Sequence, residues 1–181
     1  MLKIFITNLG MHNEGKLVGE WADLDDFESF DDLEESGILK RIGIGSPRND
    51  GTVYEEWFVT DYDTDIPGLE FSEYPDIDKL IELESQWDYL GEDGKIAVRA
   101  YLQEVRKDLD YALTVAQQGE YRVYRDCLDI ATVMKYWYEE HEILRDLPTK
   151  YEDLIDWNKV AKEYGRDVYQ YGFQTFIEFY E

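Results

Sequence analysis

The sequence predicts an α+β fold with an acidic surface. Stretches rich in β-branched and aromatic residues lie toward both ends, and a run of amphipathic helical patterns lies between them. The third observation is charge. Against 18 Lys and Arg stand 42 Asp and Glu, a net of −24 over 181 residues, yet the chain also holds 5 Trp, 15 Tyr and 8 Phe. Disorder requires low hydrophobicity together with high net charge. Only the charge condition is met, because 44% of the residues are apolar.

The elements follow in order. Lys3 to Leu9 (KIFITNL) reads as a strand, Met11 to Gly15 as a turn-rich connector and Lys16 to Trp21 as a second strand. Asp25 to Gly37 carries Phe27, Phe30 and Leu33 at helical spacing, with Gly37 as its stop. Gly43 to Gly51 is a loop by composition, and Thr52 to Tyr62 a strand. Asp63 to Pro75 reads as a linker. Asp76 to Leu90 is a helix whose Ile77, Leu80, Ile81, Trp87 and Leu90 share one face. Glu92 to Arg106 and Asp108 to Gln118 are helices, with Gly119 ending the second. Glu120 to Arg125 alternates as a strand does, and Asp129 to Glu142 is a strong helix. Pro148 opens a turn, Tyr151 to Tyr164 is helical with Gly165 beyond its end, and Phe173 to Tyr180 is a strand.

The charge is uneven. Residues 1–72 hold 17 acids and 5 bases, 73–118 hold 11 and 5, and 119–181 hold 14 and 8. Such a body repels nucleic acid and anionic membrane and suits a basic groove. A lone Cys127 makes no internal disulfide and fits a reducing cytoplasm. No signal peptide or membrane-spanning run is expected.

Catalytic patterns are weak. Asp61, Asp63 and Asp65 resemble the start of a calcium loop, but positions 6 and 12 are Ile66 and Ser72 where a glycine and a bidentate Glu belong. A solvated acidic turn is the better reading. Gly43 and Gly45 open a nucleotide-loop pattern that fails at Arg48. Cys127 lies beside Asp126 and Asp129, which suppress a thiolate. His12 and His141 are the only histidines, so a multi-histidine metal site is excluded, and His141 reads as decorating a helix end. No cofactor is implied, and no enzymatic role. The aromatics of the last third (Tyr136, Trp137, Tyr138, Tyr169, Tyr171, Phe173, Phe176, Phe179 and Tyr180) are expected to serve self-association.

Several segments resemble the ArdA family of antirestriction proteins. The opening run Ile4 to Trp21 is similar to that family's signature through Asn8-Leu9-Gly10, Asn13-Glu14-Gly15 and Leu17-Val18-Gly19-Glu20-Trp21. Trp57 to Asp63, Asp129 to Glu140 and Tyr164-Gly165-Arg166-Asp167 resemble later family elements in the family's order. His12 departs from the pattern by standing where an aromatic is common. The resemblance implies an elongated row of three small mixed domains, here 1–72, 73–118 and 119–181, with a homodimer formed near the last. It further implies a protein of mobile elements that mimics bent B-form DNA in the DNA-binding groove of type I restriction–modification enzymes.

On that reading carboxylates stand in for phosphates. A charge of −24 equals that of about 41 Å of duplex at one charge per ~1.7 Å. An acid every three or four residues of a helix gives charges about 5–6 Å apart. One cluster comprises Asp23, Asp25, Asp26, Glu28, Asp31, Asp32, Glu34 and Glu35. Asp61, Asp63, Asp65, Glu73, Asp76, Asp78, Glu82, Glu84 and Asp88 continue it. Two other classes compete: an acidic adaptor or chaperone for a basic nucleic-acid-binding protein, and a metal-dependent hydrolase.

Overall fold

A computed structural model describes residues 1–165 and 167–180. They fall into two compact units, Met1–Gly91 and Glu92–Glu181. The mixed α/β composition is as expected.

The first unit is organised by strand β1 (Leu2–Asn8), central in an antiparallel sheet of order β2-β1-β3 with β2 (Gly19–Asp23) and β3 (Trp57–Thr64). Leu2, Ile4 and Ile6 are fully buried on its inner face. Burying each such side chain is worth about 1.5–3 kcal/mol. The expected connector at Met11–Gly15 is a helical turn instead, α1 (Leu9–Asn13). Asn8 decides this: its side-chain oxygen accepts from the Met11 N–H at 2.9 Å, while its amide donates to the Ile42 carbonyl at 3.0 Å.

The helix expected over Asp25–Gly37 is split. Leu24–Asp26 is a 3-10 turn, Phe27 is extended, and α2 (Phe30–Glu35) starts afresh at the cap Ser29. Ser29 accepts from the Asp32 N–H, so the chain is re-nucleated inside an apolar pattern that reads as continuous. Gly37, at φ +80°, ends that segment as expected and leads into α3 (Ile38–Arg41).

The stretch after β3 folds back on the strand rather than tethering two bodies. Val59 N–H donates to the Glu73 carbonyl at 2.8 Å, the Tyr62 hydroxyl donates to Leu69, and Tyr62 packs on Phe71. Helix α4 (Ile77–Tyr89) then buries Ile77, Leu80, Ile81, Glu84 and Trp87 on one side.

In the second unit, α5 (Gly91–Glu104) and α6 (Leu109–Gln118) precede β4 (Tyr121–Arg125) and α7 (Ile130–Glu140). A 3-10 turn (Thr149–Leu154) and α8 (Trp157–Tyr164) replace the single helix expected over Tyr151–Tyr164. The break falls where Asp156 accepts from the Lys159 N–H and starts a new helix. Strands β5 (Val168–Gln170) and β6 (Thr175–Phe179) complete an antiparallel sheet of order β4-β6-β5. Its core joins Tyr124, Cys127, Val133, Met134, Val168 and Phe176 to the α7–α8 pair. Arg166, part of the Tyr164–Asp167 resemblance, lies outside the described residues. Among the described residues no helix is long and apolar enough to cross a membrane.

Candidate functional site

All seventeen acids singled out by sequence lie in the Met1–Gly91 unit, which carries 23 acids against 6 bases, a net of −17. Asp25, Asp26, Glu28, Asp31, Asp32, Glu34, Glu35, Asp61, Asp63, Asp65, Glu73, Asp76, Asp78, Glu82 and Asp88 are exposed. Asp23 is half-buried, and Glu84 is not on the surface at all.

Helical geometry explains the Glu84 outcome. Position 84 follows Ile77, Leu80 and Ile81 on the inward stripe of α4, so its carboxylate is carried into the core at 1% exposure. The Met1 ammonium stands 2.8 Å away as counter-ion, and Asp65 accepts from the same ammonium at 2.7 Å. Burial pushes the Glu84 carboxyl above its ordinary range despite that ammonium. Glu84 is therefore a structural acid, and the surface set is corrected by its removal.

Several surface acids also fix the backbone. Asp76 caps α4 through the Lys79 N–H, Asp32 accepts from the Glu28 N–H, and Asp78 accepts from the Phe30 N–H at 2.8 Å. This last bond joins the start of α2 to the start of α4, and α4 also packs against the Leu24–Asp26 turn. The 23–35 and 76–88 acid groups therefore adjoin. Carboxylates at helix N-termini are favoured by the helix dipole. The fold thus favours Asp31 and Asp32 at the start of α2 and Asp76 and Asp78 at the start of α4.

The sheet supplies a third group. Lys3 on β1 is flanked across the strands by Asp23 on β2 and Asp63 on β3. Its ammonium pairs with Asp23 at 2.8 Å, and the Lys3 pKa is raised by that bond first. Asp61 and Asp63 do not converge with Asp65 as a calcium loop requires. The former pair with β1 residues, while Asp65 is held by the Met1 ammonium and by the Trp87 indole N–H at 3.1 Å.

Sequence reasoning passed over Glu14 as a site. It takes Arg48 at 2.6 Å, Lys16 at 2.9 Å and the Tyr54 hydroxyl, and Arg48 first among these holds its carboxyl down to about 2. This cluster ties the Gly43–Gly51 loop to α1. Nothing in the spacing of residues 14, 48 and 54 signals it.

In the second unit, burial pushes the Cys127 thiol up, with Asp126 and Asp129 adding to the effect. His141 caps α7 and stacks on Trp137 at 4.2 Å. The aromatics expected to drive self-association divide. Phe176 and Phe179 are both buried, on opposite faces of the central strand β6: Phe176 joins the core with Tyr124 and Val168, and Phe179 packs edge-on against Tyr101 at 5.2 Å. Trp137, Tyr138, Tyr169 and Tyr171 are half-buried, and Tyr136, Phe173 and Tyr180 are exposed.

Fifteen of the seventeen acids are exposed, and several of them also accept backbone hydrogen bonds. No curated protein matches the chain. A family model described as antirestriction protein (ArdA) matches residues 4–176, nearly the whole of the 181, and on that match the chain belongs to the ArdA family of antirestriction proteins.

Proposed function

We propose that this chain counters restriction by mimicking B-form DNA, and that its carboxylates occupy the DNA-binding groove of a type I restriction–modification enzyme. The family is one of inhibitors rather than enzymes. The observation that carries the mimic reading is the concentration of exposed acids in Met1–Gly91, where −17 of the total −24 resides. Groove lysines and arginines that normally contact phosphates are attracted by such a surface and steered toward it at long range. Base edges have no counterpart here, so the enzyme reads charge and shape rather than sequence. The proposal includes a homodimer, supported by the exposed aromatics Tyr136, Phe173 and Tyr180 of the less charged last third.

The test is inhibition of a purified type I enzyme with and without competing duplex DNA. Competition between DNA and the protein for one site is expected, with inhibition weakening as salt rises. Binding that is indifferent to both DNA and salt defeats the proposal and favours an adaptor for a basic protein.

A further inference from the structure

The outer face of the first sheet is covered at one end only. There Phe58 lies under His12 of α1 and under Tyr74, with ring centroids at 5.2 and 6.3 Å. The Thr7–Thr60 hydroxyl contact at 2.7 Å marks the limit of that cover. Beyond it the face is open. Phe5 on β1 stands between Trp21 on β2 and Asp61 on β3, all three in cross-strand register. The Phe5 and Trp21 rings are 5.3 Å apart, and Trp21 is 45% exposed.

Two details show how this aromatic pair is held. A Cβ on Gly19 would stand 2.7–2.9 Å from the Phe5 ring and 2.6 Å from the Ile6 carbonyl oxygen, so the glycine lets the ring lie across the edge strand. One step along the strands, Lys3 occupies Asp23. The Asp63 carboxylate has no hydrogen-bond or close ion-pair partner among the described residues, although it feels the Lys3 charge across the strands, and the Asp61 carboxylate accepts only from the N–H of its neighbour Tyr62.

We infer that this open half-face is an anchor for an arginine side chain of the basic partner: the exposed Trp21 ring, braced by Phe5 tilted against it at 55°, takes the plane of the guanidinium, and Asp61 and Asp63 accept its N–H groups. This rests on the DNA-mimic reading and goes beyond it, because an aromatic plane has no phosphate counterpart. Charge complementarity selects the occupant. A second copy of the chain would press Asp23, Asp61 and Asp63 against their own kind. Arginine fits better than lysine because its flat, weakly hydrated fork stacks on indole and meets carboxylates at its edge. Desolvated aromatic anchors govern residence time, whereas exposed charges govern encounter.

The experiment measures association and dissociation of a purified type I enzyme with wild type, Trp21→Leu, Trp21→Phe and the Asp61→Asn/Asp63→Asn double variant at several salt concentrations. Thermal melts and sedimentation accompany each. Leu and Phe both suit a strand, and only Phe keeps an aromatic face. Trp21→Leu is expected to dissociate about tenfold faster with an unchanged salt slope. Trp21→Phe is expected to stay near wild type, and the double Asn variant to associate more slowly with a shallower slope. Wild-type dissociation by Trp21→Leu, while DNA still displaces the wild-type protein, overturns the anchor and leaves the mimic reading standing. Loss of a dimer in Trp21→Leu overturns it in favour of self-association. Failure of DNA to displace the wild-type protein overturns both.

Discussion

At the residue scale, the same side-chain type does opposite work according to where the backbone carries it. Glu14 and Glu84 are both acids in acidic company, yet one is held ionised by Arg48, Tyr54 and Lys16 and the other is pushed toward neutrality by burial. The Glu14 case gives a pH prediction. A carboxyl held at about 2, against 4.5 when free, contributes stability that is complete above 4.5 and lost as pH falls from 4.5 through 2. The loop it ties down should loosen over that window. The Gly45 and Arg48 amides, which donate to Tyr54 and Thr52 at 2.8 and 2.9 Å, should lose hydrogen-exchange protection. Glu14→Gln should produce the same loss at neutral pH. The sequence does not reveal this cluster, because its members come from three segments that only folding brings together.

At the element scale, caps decide boundaries. Asp76, Asp108, Asp129 and Asp156 each accept from the backbone N–H three residues on, and each starts a helix. Asp129 is the most fully used, accepting from both the N–H and the hydroxyl of Thr132 at 2.8 Å. Asp129→Ala should lower stability by about 0.5–2 kcal/mol, read by urea unfolding, because α7 then leaves an N-terminal donor unsatisfied. Helices beginning at such a residue after a turn, as α4, α6 and α7 do, are legible in the sequence. The splits at Ser29 and Asp156 are not, because there the cap interrupts an apolar periodicity that continues across it. Strand β5 escapes notice for a different reason. Three residues are too few to show alternation, and β5 exists because β6 offers it an edge.

At the scale of the whole molecule, charge is partitioned: −17 in Met1–Gly91 and the remaining −7 in Glu92–Glu181. A distributed surface predicts graded effects. Neutralising Asp25, Asp26, Asp31 and Asp32 together to Asn should weaken inhibition without abolishing it. Exposed pairs at about 0.2–1 kcal/mol each put the loss near 1–4 kcal/mol. The salt dependence should flatten in parallel when inhibition is titrated at low and moderate ionic strength. Glu84→Gln replaces a single acid in the interior, and should leave inhibition unchanged wherever the protein is folded. The α+β composition, the family and the excess of acid over base are legible in the chain before folding, since each is a property of residue order and count. Which acids reach solvent, and which side chains share the sheet face with them, emerged only on folding. Cross-strand register and the inward stripe of a helix are set by partners distant in the chain, and the one acid on the inward stripe of α4 became a buried counter-ion.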